Sequence, residues 1–173
     1  MPRRIRELEN DGIYHIYARG NNRQKIFRGR KDFETYREII LKVRERYEFK
    51  VYHYCLMTNH FHFLMRVQQG KELPRIMHQI QLRYAKHYKK KYRYYGHLFQ
   101  GRFRSPRIGE ESYYLQCGRY IERNPVKAKM VEQAEDYRYS SAGYYVLGRE
   151  DGLITENLYY AGMGQTVEER QTY

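Results

Sequence analysis

A chain of 173 residues is long enough for one domain with its own core and too short to expect two. Apolar residues make up 41% of it, yet no stretch approaches the roughly twenty apolar residues of a membrane span, and Met1-Pro2-Arg3-Arg4 is no signal-peptide core, so a cytoplasmic protein without a membrane partner is expected. The formal net charge is +13, and it is uneven: the last 24 residues hold five acids and one base, leaving 32 basic against 15 acidic residues, a net +17, in the first 149. A basic body with an acidic tail predicts that the body meets a polyanion and the tail does not.

Along the chain, Ile13 to Arg19 (IYHIYAR) is β-branched and aromatic, stops at Gly20-Asn21-Asn22, and reads as a first strand. Asp32 reads as the N-cap of a helix whose apolar stripe is Phe33, Tyr36, Ile40, Val43 and Tyr47. Phe49 to Met57 and His60 to Val67 are strand-like runs separated by Thr58-Asn59, a β-hairpin. Leu73-Pro74 opens a second helix with the stripe Ile76, Ile80, Tyr84 and Tyr88.

After Gly96, residues 97–108 read as extended, with a turn near Ser105-Pro106. A third helix starts near Glu110 or Ser112 and must end near Asn124, because a residue preceding proline is biased out of the helical region. Pro125 can open a short helix through Glu132. The order strand, helix, hairpin, helix, strand, helix predicts an α+β fold: a ferredoxin- or RRM-like antiparallel sheet with helices packed on it. The organisation expected is one domain over residues 1–148 and an acidic tail, 149–173, to which the sequence gives no role.

Two short motifs carry chemistry. Strand alternation sends Phe61, Phe63, Met65 and Val67 to one face and His60, His62, Leu64 and Arg66 to the other. Two imidazoles at i and i+2 can converge on one divalent cation. With no cysteine or HExxH nearby, an open Mg²⁺ or Mn²⁺ site completed by an oxygen ligand fits better than closed structural zinc. The pattern also arises on a half-exposed face without function, and His15, His53, His78, His87 and His97 show no comparable partner in the sequence. Cys55 and Cys117, in apolar surroundings, are expected as buried free thiols.

On the third helix Gln116, Tyr120 and Asn124 form a polar row opposite Tyr114, Cys117 and Ile121. A phenol with an ordinary pKa of about 10 is a poor nucleophile at neutral pH unless a metal stabilises the developing charge. Asn124, one turn beyond Tyr120, can offer an amide oxygen to that metal. Among 21 tyrosines, Tyr113 lies on nearly the same stripe, and spacing alone does not choose.

The segments ARGNNRQKIF, MTNHFHFLM, GHLFQGRFRS, YLQCGRYIERNPVKAKMV and YRYSSAGYY occur in order between Gly12 and Tyr145. Together they resemble the IS200-like single-tyrosine transposases, most of all their repeat-associated branch. The resemblance implies an HUH endonuclease in which His60-Phe61-His62 and Asn124 hold the metal and Tyr120 is the nucleophile. It implies cleavage and rejoining of single-stranded DNA near a hairpin with a flanking tetranucleotide, through a 5′-phosphotyrosine and without ATP; no GxxxxGK(S/T) loop is present. Arg19, Arg23, Lys25, Arg83, Lys86, Arg102 and Arg104 are the candidate phosphate contacts. Insertion-sequence members act as dimers and the repeat-associated branch can be monomeric, so monomer or homodimer stays open. The competing reading is a non-catalytic, RRM-like regulator that binds single-stranded DNA or RNA.

Overall fold

In a computed structural model, residues 8–163 are described; expectations touching residues 1–7 and the tail from 164 to 173 lie outside them. Four strands, β1 (Gly12–Arg19), β2 (Phe49–Leu56), β3 (His60–Val67) and β4 (Arg107–Ile108), form one antiparallel sheet in the order β2-β3-β1-β4. Helices α1 (Arg30–Arg44) and α2 (Leu73–Tyr92) cover one face, and α3 (Glu111–Glu122) packs over β2 and β3 on the other. This is the α+β architecture the element order predicts, with β1 and β3 side by side at the centre of a split βαβ unit. No helix of the described residues is long and apolar enough to cross a membrane.

Alternation along the strands builds two cores. Tyr14, Ile16, Phe61, Phe63, Met65 and Val67 pack with Tyr36, Ile40, Ile76, Ile80 and Tyr84 under α1 and α2. On the opposite face Leu64, Tyr52, Cys55 and Ile108 pack against Tyr114, Cys117 and Ile121 of α3. Both cysteines are free and buried, and burial pushes the Cys117 thiol up to about 12. Because α3 lies mainly over β2 and only part of β3, His15 and Tyr17 of β1 and the start of β3 are left for other work.

Two local expectations are corrected. Asp32 is not an N-cap: α1 begins at Arg30, and Asp32 sits in its first turn, where its carboxylate accepts from the backbone N–H of Arg28 (2.8 Å) and Gly29 (3.2 Å). Fully buried, it also accepts from Lys91 (2.7 Å) and Tyr92 (2.6 Å), which tie α2 to α1; those hydrogen bonds outweigh burial and hold its pKa below the usual carboxylate value. The helix after Pro125, α4 (Asn124–Lys127), stops well short of Glu132, because Lys129 turns to a left-handed φ of 56° and its N–H returns to the Val126 carbonyl.

The chain after α3 returns to the outer edge of β2. Leu56 N–H bonds the Tyr139 carbonyl (2.8 Å), Ser141 N–H bonds Tyr54 (2.9 Å), and Thr155 N–H bonds Val51 (2.7 Å). After the short helix α5 (Ala142–Leu147), Asp151 accepts from Arg37 (2.6 Å) and the Tyr54 hydroxyl (2.6 Å), and Leu153 is fully buried. Residues 149–160 therefore pack beside β2 and α1, away from the open half of the sheet.

Candidate active site

The antiparallel register places Tyr17 opposite His62 and Arg19 opposite His60. Side chains of His15, Tyr17, His60 and His62 thus meet on the face that α3 only partly covers. The rings of His60 and His62 lie 5.1 Å apart, edge to face, and Tyr120 stands 5.7 Å from His62. Tyr120 is 43% exposed, which leaves its ring accessible while its helix is anchored through buried Tyr114, Cys117 and Ile121. The ammonium of Lys127 sits 4.4 Å over the Tyr120 ring, a cation–π contact that also brings positive charge to the site.

His60, His62 and Asn124 lie near one another at this end of the sheet. Asn124 donates its amide N–H to the carbonyls of Tyr120 (2.8 Å) and Ile121 (3.2 Å) at the end of α3, which leaves its oxygen without a place in those bonds and near His60. Nδ1 of His60 bonds the Asn59 side-chain oxygen (2.6 Å), and Nδ1 of His62 bonds Nε2 of His15 (2.9 Å). Each of these Nδ1 contacts leaves Nε2 of its ring for a further partner. Burial lowers the His60 pKa and holds His62 down to about 3, with the neighbouring His15 and His60 adding to the fall. Neutral imidazoles are the form a metal requires. Two imidazoles and one amide oxygen form an open N,N,O set suited to a hard divalent ion such as Mn²⁺ or Mg²⁺, so these residues fit the cation the sequence implies.

Of the seven basic candidates, Arg19, Arg23, Arg102 and Arg104 line a recess of about 540 Å³ together with Tyr17, Asn59, His60 and Gln100. Gln100 accepts from Arg19 Nε at 2.5 Å, and the 99–104 segment is bridged to β1 through Tyr17–Arg104 and Gly20–Phe99. Lys25 is exposed and does not line this recess, its carbonyl held by the Tyr88 hydroxyl of α2 (2.9 Å). Arg83 and Lys86 ride on α2, across the sheet from the histidines.

Two histidines outside the His60–His62 motif make specific side-chain contacts near the site and under its helix. His15 is bonded to His62 and stacks on it with ring centres 5.1 Å apart, because β1 and β3 pair in a register that makes them diagonal neighbours. The signal was the alternation itself, which puts His15 on the face of Tyr17 and Arg19. His53 is buried and bonds Glu122 (2.7 Å) and Asn157 (2.9 Å). A bulge between Val51 and His53 turns it toward α3, and no sequence signal marks that bulge.

Residues 9–124, two thirds of the chain, match the family described as Transposase IS200 like. Among solved structures, the chain is similar to the REP-associated tyrosine transposase bound to a REP hairpin, with a TM-score of 0.71 and 20% identity over 91% of this chain and 96% of that one. It is also similar to a putative transposase from Deinococcus radiodurans R1, with a TM-score of 0.48 and 13% identity over 70% of this chain and 97% of that one. No curated protein matches the chain. The 0.71 likeness shows the fold, while the family match spans the sheet, both histidines and the tyrosine helix and ends at Asn124. The chain belongs to the IS200-like transposase family.

Proposed function

We propose that this protein cuts and rejoins single-stranded DNA beside hairpins, with Tyr120 as nucleophile and a divalent cation, Mg²⁺ or Mn²⁺, held by His60, His62 and Asn124. The observation that carries the reading is the clustering of Tyr120, His62 and His60, the last of which also lines an arginine-rich recess. When bound, the cation supplies Lewis-acid polarisation of the scissile phosphate and stabilises charge developing on it. The recess lets Arg19, Arg23, Arg102 and Arg104 grip the phosphates on either side and fix the backbone against Tyr120.

Attack by the phenol oxygen forms an O–P bond to the scissile phosphate and breaks the bond to the 3′ oxygen. The tyrosine gives up its proton and the departing 3′ oxygen takes one up, leaving a free 3′-OH and a 5′-phosphotyrosine. A second 3′-OH can reverse the step on the same phosphate, so no ATP is needed. A hairpin substrate of the repeat-associated kind is favoured by the neighbour that binds a REP hairpin. On this reading residues 1–148 form the catalytic domain, the acidic residues after 149 stand apart from the DNA path, and the protein acts in the cytoplasm.

The test uses hairpins from the gene's own flanks, labelled at either end, with Mn²⁺ or Mg²⁺. A denaturation-resistant protein–DNA band carrying the 3′ label, absent with Tyr120→Phe and with His62→Ala, is the expected result. Cutting that survives Tyr120→Phe would transfer the chemistry to an activated water. Tight binding without cutting on every hairpin would favour the non-catalytic binding module.

A further inference from the structure

We infer that His15 is the positioning residue of the metal site: it accepts a hydrogen bond from Nδ1–H of His62 and so holds that ring in the one tautomer whose Nε2 can ligate a cation. The inference rests on the functional reading above, since it assigns His62 a ligand's task, but it concerns a residue that reading leaves idle.

The geometry is specific. Nε2 of His15 lies 2.9 Å from Nδ1 of His62, while the two rings are inclined by only 24°. A neutral imidazole has one N–H and one lone pair, so this contact admits two arrangements. In one, His62 donates from Nδ1 and presents its Nε2 lone pair to the site. In the other, His15 donates, His62 carries its proton on Nε2, and coordination there is blocked. His60 has the same problem solved differently: its Nδ1 faces the Asn59 side-chain oxygen at 2.6 Å, an acceptor that admits only an Nδ1–H. Metal-ligating histidines are generally fixed through their second nitrogen by such an acceptor. At His62 the acceptor is an imidazole.

Simple space filling does not account for His15. Its ring sits among His62, Tyr17 and Tyr120, with the centre of the Tyr120 ring 5.9 Å from its own in an edge-to-face arrangement, a place where phenylalanine would pack as well. What phenylalanine lacks is the acceptor. Glutamine has one at nearly the same reach, so the two substitutions separate packing from positioning.

The experiment measures Mn²⁺ binding calorimetrically and the His62 tautomer by long-range proton–nitrogen correlation spectra of the metal-free protein. His15→Phe is expected to weaken Mn²⁺ binding by about 10–100-fold, the usual loss when such an outer partner is removed. His15→Gln should stay within a fewfold of the unmodified protein. The spectra should show His62 protonated on Nδ1 in the unmodified protein and in His15→Gln, and on Nε2 in a large fraction of His15→Phe.

Equal Mn²⁺ affinity in His15→Phe and the unmodified protein, with His62→Ala abolishing binding, would overturn the positioning role and leave the metal site standing. If the unmodified protein binds no Mn²⁺ and His62→Ala changes nothing, the metal reading itself falls. The tautomer spectrum then still decides His15, because an Nε2-protonated His62 beside it overturns the inference directly.

Discussion

Glu122 lies two residues beyond Tyr120 on α3, and its carboxylate holds the buried ring of His53, reached through β2, at 2.7 Å. The same oxygen accepts from the Ser141 hydroxyl at 2.6 Å, and the far nitrogen of His53 meets Asn157 at 2.9 Å. The helix that carries the tyrosine is thus latched to its own sheet by a polar cluster as well as by its apolar stripe.

Glu122→Ala should therefore do more than loosen the fold. Losing the acceptor leaves a buried imidazole N–H unpaired, a cost of about 1–3 kcal/mol. At about 2–4 °C per kcal/mol for a chain of this size, the midpoint of thermal unfolding should drop by several degrees. With the latch gone Tyr120 loses its fixed approach, and covalent adduct formation should slow at least tenfold at a temperature where the variant is still folded. Adduct rates equal to those of the unmodified protein would limit Glu122 to stability.

Gly118, one turn before Glu122, is a point of close approach between α3 and His53 of the sheet. A Cβ there would lie 2.8 Å from Nε2 and 2.9 Å from Cε1 of His53. Alanine is worth about 1 kcal/mol over glycine inside a helix, but forcing atoms into a filled space costs about 1–3 kcal/mol. Because His53 is held on both nitrogens and cannot step aside, the clash wins, and Gly118→Ala should lower the urea midpoint. A rise would show that α3 can lift without loss.

Acid should weaken the metal-free protein through the site histidines. Burial holds His15 down to about 4 and His62 to about 3, against about 6.5 when unfolded. Their folded-state values are depressed, so below about 6.5 the unfolded chain takes up protons that the folded chain refuses. The stability they contribute is complete above that pH and is lost as pH falls toward 4 and then 3. Urea midpoints measured between pH 7 and 4 should decline less steeply in His62→Gln than in the unmodified protein, and parallel slopes would count against this account.

The recess predicts which cations the strand meets. Arg102→Ala or Arg104→Ala should weaken a short unpaired strand similarly whatever its sequence, and reduce the salt slope by about 0.7 per lost phosphate contact. The pair Arg83→Ala and Lys86→Ala, across the sheet, should leave affinity for the same strand within twofold. A loss from the second pair equal to that from the first would extend the DNA path around to α2.

Much of this was legible beforehand because periodicity is a local property. The stripe Tyr36, Ile40 and Val43, the hairpin around Thr58-Asn59, and the alternation of His60 and His62 about Phe61 follow from side-chain spacing, and each takes its expected face. What escaped depends on pairing between distant segments. His15 gains its meaning only from the register that brings Tyr17 to His62. His53 is turned by one extra residue in β2, which sends both Tyr52 and His53 toward α3. Residues 149–160 have no period to read, since they are held by single contacts such as Asp151 with Arg37 and Thr155 with Val51.

The contacts that bring residues 139–155 back to β2 have a further consequence. β2 is the outermost strand on its side of the sheet, and an unpaired outer strand is a template on which another chain can add. Here the outward backbone groups of Val51, Tyr54 and Leu56 are already taken by Thr155, Ser141 and Tyr139, and the bulge at Tyr52 breaks what remains of a straight edge. Residues 139–155 thus act as an internal guard against side-by-side aggregation. A protein cut short before Tyr139 would keep both histidines and the tyrosine, yet would expose a bare, apolar strand and be expected to precipitate before its chemistry could be measured.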